Sequence, residues 1–155
     1  MKTILVLFVA IFLNVSSVKA QATGSDYTTA LGIKFYPTGI TFKHFISPKN
    51  ALEGIGYFVN YGARIVGLYE IHNNISNAGG LKWYYGAGAH LAFYNSKNGD
   101  GSAIGIDGVL GLDYKINSAP INFSLDWQPY IEFGNFKNNG FAGNVGGIAI
   151  RYTFN

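Results

Sequence analysis

The feature that most constrains the fold is an alternation of apolar and polar residues that recurs along the chain. In residues 104–116, apolar side chains fill most even positions, whereas Asp107, Asp113 and Lys115 fall at odd positions. Residues 121–133 repeat the pattern, with large apolar side chains opposing a row of asparagine, aspartate and glutamate. A period of two is that of a β-strand, because the 3.6-residue period of a helix would scatter these charges among the apolar residues. Both segments are therefore predicted strands.

Six further segments alternate in the same way, and Gly, Pro, Asn and Ser residues typical of turns separate them. Segment 51–60 is ambiguous, because Glu53 and Ile55 fall on one face. Eight strands of about 9–11 residues match the small barrel architecture, so the chain predicts an all-β, eight-stranded antiparallel up-and-down barrel. The predicted strands are residues 28–36, 40–47, 51–60, 63–72, 81–94, 104–116, 121–133 and 142–154.

The first twenty residues form a separate unit. Lys2 is followed by an apolar run at 4–13 and by small residues that end at Ala20. The run is shorter than the ~20 residues of a membrane span, so residues 1–20 predict a secretory signal peptide cleaved near Ala20. The barrel domain is then 21–155. The chain has no cysteine, which excludes a lipoprotein anchor and a disulfide framework.

Charge is scarce in the predicted mature chain. Without Lys2 and Lys19, nine basic residues face eight acidic ones among 135 residues, and the formal charge falls from +3 to +1. That is about half the charged fraction of a typical soluble domain, yet no later apolar run approaches the ~18 residues of a membrane helix. The composition therefore predicts a transmembrane β-barrel, and the lack of a basic run argues against nucleic acid as a partner.

The two faces of the strands must point in opposite directions. A soluble barrel turns its apolar face inward around a ligand, whereas a membrane barrel turns it outward around a polar interior. The polar face here carries too little charge for a water-exposed exterior, so we expect it to fill the interior, with charges paired and no room for a large pore. The expected interior network is Lys34, Lys43, Arg64, Glu70, His72, Lys82, His90, Asp107, Asp113, Lys115, Asp126, Glu132 and Arg151.

Several aromatic residues fall at or near the ends of the predicted strands. Rings at such positions are typical of the girdles at membrane interfaces, although aromatic residues also favour strands in general. The girdle candidates are Tyr27, Tyr36, Trp83, Tyr94, Tyr114, Trp127 and Tyr152.

One group of residues has the composition of a catalytic site. Glu70 and His72 share a face, and His90 is expected to project into the same interior; a histidine–carboxylate pair can activate a nucleophile. No serine lies at a suggestive spacing, so no catalytic residue is assigned and enzymatic activity stays an alternative. No strand has two histidines at metal-binding spacing, and no cofactor or metal is predicted.

The end of the chain carries a family resemblance. Ile148, Ile150, Tyr152 and Phe154 alternate up to a closing aromatic residue. This ending resembles the assembly signal of small eight-stranded outer-membrane β-barrels of Gram-negative bacteria, the OmpA/OmpX-like barrel class, although Asn155 makes the aromatic residue penultimate. The stretches GITFKHF, KNALEGI, GLYEIH, LKWYYGAGAH, GIDGVLGLDY and LDWQP are similar to an uncharacterised group of short bacterial barrel proteins.

The resemblance implies a location and partners but no activity. It implies the outer membrane, with the barrel assembly machinery as a partner during biogenesis and outer-membrane lipids and lipopolysaccharide as neighbours. We expect a structural role in the envelope, or the binding of a lipid or protein. The alternatives are a small lipid-modifying enzyme in the same membrane and a soluble periplasmic ligand-binding barrel.

Overall fold

A computed structural model describes residues 27–59, 62–96, 99–134 and 140–155. The predicted signal peptide at 1–20 and its cleavage point near Ala20 lie outside these residues. Within them the fold is all-β, without helices. No helix that is long and apolar enough to cross a membrane occurs in these ranges.

The described residues form ten strands in one antiparallel sheet. They are β1 (Thr29–Phe35), β2 (Gly39–Phe45), β3 (Asn50–Val59), β4 (Gly62–Asn74), β5 (Leu81–Ser96), β6 (Gly99–Lys115), β7 (Ile121–Trp127), β8 (Tyr130–Gly134), β9 (Gly140–Ala142) and β10 (Gly146–Phe154).

The ten strands form a closed barrel of eight staves, where a stave is one continuous or interrupted strand that runs the length of the barrel wall. The eight antiparallel staves confirm the predicted strand number and direction. Neighbouring strands from β1 to β6 pair in sequence order, and β6 pairs with both β7 and β8. Strand β10 pairs with β7 on one side and β1 on the other, which closes the sheet. Strands β7 and β8 form one stave, interrupted at Gln128 and Pro129, because proline has no N–H for the ladder. Strands β9 and β10 form another, interrupted at 143–145.

The closing seam joins the two ends of the described chain. Thr29 is in register with Phe154, and Phe35 with Ile148. The strands approach closely here, because a Cβ at Gly32 would overlap the backbone of Ile150 and Arg151. A side chain at this position would push the seam apart. Glycine is therefore required where the first and last strands meet.

The β5–β6 hairpin is longer than the sequence predicted. A loop was expected at 95–102, but Asn95 pairs with Asp100 and Ser96 with Gly99. The expectation was wrong because Gly, Asn and Ser tolerate turns without requiring them. The ladder continues through these residues because both strands supply partners.

The barrel has two distinguishable ends. The terminal end carries Tyr27, Phe154 and the turns at 46–49, 75–80 and 116–120. The far end carries the turn at 36–38 and the tips of the β3–β4, β5–β6 and β8–β9 hairpins. Along each stave, buried and exposed side chains alternate: in β10 the residues after Gly146 alternate without exception as far as Phe154.

Candidate functional site

The charged residues selected from the sequence gather on the buried face of the strands. Of the thirteen, all except Lys115 are buried in the described structure, and most are at most 5% exposed. Lys115 lies at the terminal end, where its ammonium donates to the carbonyls of Ile116 at 2.7 Å and Ala119 at 2.8 Å. The 116–120 turn thus uses this side chain at the rim of the barrel.

One member of this buried group was not predicted from the sequence. Glu53 is 2% exposed, but its neighbours on the same face, Ile55 and Tyr57, are apolar and obscured the alternation. Its register partner in the β2–β3 hairpin is Lys43. Pairing predicted strands by charge would have found this position. Five other buried polar residues were also left out of the expected network: Thr41, Asn122, Ser124, Gln128 and Thr153.

The Arg151 guanidinium is the centre of a buried polar cluster. Its Nη2 lies 2.5 Å from Glu53 Oε1, and its Nη1 donates to Asn122 Oδ1 at 3.1 Å and Ser124 Oγ at 2.8 Å. Its Nε donates to Thr41 Oγ1 at 3.1 Å, and the Thr41 hydroxyl donates in turn to Glu53. One side chain of the last strand is thereby bonded to β2, β3 and β7.

The Lys43 ammonium extends this cluster to three more strands. It lies 2.8 Å from Glu70, 3.3 Å from Glu53 and 3.8 Å from Asp113. It also faces the Tyr84 ring at 4.3 Å from the ring centre. Two cations, Lys43 and Arg151, thus face three carboxylates, and this pairing offsets part of the cost of burying ionised groups. Among the described residues, Lys43 Nζ, Glu53 Oε2 and Glu70 Oε1 have no hydrogen bond of good geometry.

A third pair connects the cluster to the first strand. Lys34 Nζ lies 2.8 Å from Asp126 Oδ2, and the Tyr84 hydroxyl donates to the same oxygen at 2.8 Å. These contacts join β1, β5 and β7. Side-chain contacts in the interior therefore connect strands that the backbone hydrogen bonds of the sheet do not join directly.

Tyr27 closes the cluster at the terminal end. Its hydroxyl donates to Asp113 Oδ2 at 3.1 Å, and its ring packs edge-on against Phe45. Burial, together with the Asp113 carboxylate, raises the pKa of this hydroxyl well above its usual range, so it remains a donor. Tyr27 is 2% exposed; the girdle assignment for this residue was wrong, because its hydroxyl satisfies an interior carboxylate.

His72 forms the expected pair with Glu70 but is enclosed. Its Nε2 lies 2.9 Å from Glu70 Oε2, its ring stacks on Tyr84 and its edge meets Phe45. Among the described residues, its contacts include no serine or threonine hydroxyl that the pair could activate. Glu70 is also engaged by Lys43. The arrangement is that of a closed polar network.

His90 projects into the interior as expected and is 2% exposed, but it lies far from Glu70 and His72. His72 is in register with Tyr84 on β5, and His90 lies six residues further along that strand, or about 20 Å away. Its Nδ1 lies 2.7 Å from Asp107 and its Nε2 3.1 Å from Glu132. The two histidines share the interior face, but they are separated along the length of the barrel.

The far end of the barrel is lined by tyrosines. The Tyr94 hydroxyl donates to Glu132 at 2.9 Å, so Tyr94, another girdle candidate, also turns its hydroxyl inward. The Tyr57 hydroxyl donates to Gln128 at 2.7 Å. Between Tyr57 and Tyr130 lies the Arg64 guanidinium, 5.0 and 4.4 Å from the two ring centres.

The opposite face of the strands is apolar. The proposed assembly residues Ile148, Ile150, Tyr152 and Phe154 are 44–55% exposed, and Tyr152 and Phe154 pack edge-to-face.

In the described ranges no group of three histidine, cysteine, aspartate or glutamate side chains is arranged to hold a metal ion.

No family model matches the chain, and none of the curated proteins compared with it matches.

Proposed function

We propose that this chain is an integral β-barrel of the bacterial outer membrane, with a structural or lipid- and protein-binding role in the cell envelope. The observation that carries the proposal is the polarity of the barrel wall. Charged side chains such as Lys43, Glu53 and Arg151 are buried, whereas thirty large hydrophobic side chains are exposed among the described residues. Water-soluble proteins distribute these classes in the opposite way.

The exposed apolar surface encircles the barrel. Exposed large apolar residues occur on every stave, for example Ile33 at 50%, Leu91 at 50% and Leu125 at 56%. A soluble monomer rarely exposes a contiguous apolar patch of more than a few hundred Å². In a hydrocarbon solvent, exposing this apolar surface carries no hydrophobic penalty.

Closure of the sheet supports the same proposal. Lipid offers no hydrogen-bond partners, so a membrane-spanning sheet needs internal partners for its backbone groups. The pairing of β10 with β1 leaves no free edge between residues 29–35 and 148–154. Strands β3 to β6 have 10 to 17 residues, which is enough to span the ~30 Å hydrocarbon core when tilted.

Aromatic side chains on the exposed face have interfacial chemistry. Tyr114, Trp83 and Tyr152 lie towards the terminal end with 40–55% of their surface exposed. Such amphipathic rings prefer the boundary between lipid and water. Towards the far end, Tyr36 is 80% exposed.

In this proposal the terminal end faces the periplasm, and the exposed side chains of β10 are read by the assembly machinery before the barrel closes. After assembly the same side chains contact lipid acyl chains, and the wall near the far end contacts lipopolysaccharide. The buried ion pairs fill the interior, which makes the protein a rigid element of the envelope rather than a conduit.

Fractionation and heat-modifiability test the proposal. We expect the full-length chain, expressed in a Gram-negative host, to remain with the outer membrane after carbonate washing. Unheated samples should migrate faster in detergent gels than boiled samples, because the folded barrel resists the detergent. Recovery in the soluble periplasmic fraction, with mobility that heating leaves unchanged, would contradict membrane integration.

A further inference from the structure

The buried cations of the barrel are not equally provided with partners. Lys34 is paired with Asp126, Lys43 with Glu70, and Arg151 with Glu53. Arg64 is 4% exposed, yet it has no ion pair and no hydrogen bond with any described residue. Its Nε is buried without an acceptor. A guanidinium offers five N–H donors, and buried donors without acceptors are costly.

The acidic residues near Arg64 are already engaged. Asp107 and Glu132 bind the two ring nitrogens of His90, and Glu132 also accepts from Tyr94. These groups satisfy one another and leave the Arg64 donors unused.

Two aromatic rings hold the guanidinium in place. The Arg64 Cζ lies 5.0 Å from the centre of the Tyr57 ring and 4.4 Å from that of Tyr130. Cation–π contact stabilises the charge without using its N–H groups. Tyr57 is itself fixed, because its hydroxyl donates to Gln128. The guanidinium is thus pre-organised, and its donors remain available.

Arg64 lies near the far end of the barrel. It is the third residue of β4, next to the β3–β4 tip at the far end. The segments that join strands at this end, 36–38, 60–61, 97–98 and 135–139, contain no acidic residue in the sequence. Asp100 of β6, paired with Asn95, is the acidic residue at the strand end beside the 97–98 connection.

We propose that Arg64, held between Tyr57 and Tyr130, is the binding site for a phosphate group that enters at the far end of the barrel. The planar guanidinium matches two oxygens of a phosphate in a bidentate contact. The phosphate oxygens would accept the hydrogen bonds for which the described residues provide Arg64 with no acceptor. The site adds a ligand to the barrel and does not depend on which compartment the far end faces.

The chain offers a direct spectroscopic test, because its sequence has two arginines, Arg64 and Arg151. In ¹⁵N-labelled barrel refolded in a non-ionic detergent, two Nε–Hε signals are expected, and Arg64→Lys assigns them. Inorganic phosphate, titrated at constant ionic strength, should shift the Arg64 signal to saturation. The Arg151 signal should not move, because its Nε is bonded to Thr41.

Two variants and a second probe, a phospholipid, complete the test. Arg64→Gln should weaken phosphate binding about tenfold or more, whereas Lys49→Gln, an exposed charge on a terminal-end turn, should leave it unchanged. Phosphatidic acid added to the micelles, with phosphatidylcholine as control, distinguishes a lipid headgroup from free phosphate. The proposal fails if neither probe moves the Arg64 signal, or if chloride moves it equally. The wild-type titration decides the matter even if Arg64→Gln does not fold.

Discussion

Arg151 of the last strand and Glu53 of the third strand are joined across the barrel at 2.5 Å, although 98 residues separate them in the chain. Both side chains are fully buried. The pair ties the strand that closes the barrel to β3, the third strand beyond the seam. The ion pair therefore holds the closing strand in place in addition to its backbone hydrogen bonds.

Removing either partner of this pair should destabilise the barrel strongly. We expect Arg151→Met to lower the free energy of unfolding by about 3–5 kcal/mol, because it leaves the Glu53 carboxylate buried with less compensation. Glu53→Gln should cost a comparable amount. Urea unfolding of the refolded barrel, followed by tryptophan fluorescence, measures both.

The double variant, Arg151→Met with Glu53→Gln, is the control for this prediction. We expect it to cost less than the sum of the single changes, because the second substitution removes the uncompensated charge. Additive losses would mean that the two side chains act independently.

Removing residues 152–155 should prevent assembly. Tyr152 and Phe154 are exposed, and their backbones pair with Leu31 and Thr29 at the seam. Their loss removes the end of the closing strand together with the proposed recognition side chains. We expect the truncated chain to give no heat-modifiable band in outer membranes.

Deletion of Asn155 alone is the matched control for the truncation. Asn155 follows the last residue of β10, so its loss should leave assembly intact. Normal amounts of folded barrel from the longer truncation would overturn the role given to these residues.

An arginine on the exposed face distinguishes a lipid environment from water. Ile33 lies near the middle of β1 and is 50% exposed. In a bilayer, Ile33→Arg should reduce stability by about 2–4 kcal/mol, whereas on a soluble surface it should change stability by only about 0.5 kcal/mol. Urea unfolding in lipid vesicles gives the value.

Ser118→Arg introduces the same charge on an exposed terminal-end turn and is the control for Ile33→Arg. It should be near neutral in vesicles. Equal effects of the two substitutions would contradict a lipid-facing position for Ile33.

The sequence predicted the staves better than it predicted their contacts. Alternation in residues 104–116 and 121–133 is local, so it could be detected without knowledge of the fold. The partner of Arg151 could not be found in this way, because the contact with Glu53 depends on register summed over several strands. The distance between His90 and His72 could not be predicted for the same reason: the two residues share the interior face, but a shared face does not determine their separation along the barrel. Arg64 was selected as one charge among many, and only the structure distinguishes it.

The filled interior leads to a last prediction, about ion conduction. Arg151, Lys43 and Tyr84 project inward with at most 1% of their surface exposed, and each is bonded or packed against groups from other strands. An eight-stranded barrel has an interior just wide enough for its side chains. We expect the refolded protein in planar bilayers to show no discrete conductance steps.

A variant with smaller interior side chains is the positive control for that measurement. Tyr84→Ala removes the ring that packs on His72 and faces Lys43, and it should raise the frequency of brief openings without abolishing heat-modifiability. If the wild-type barrel showed stable steps of uniform size, the interior network would have to open, and the structural role proposed for its ion pairs would be wrong.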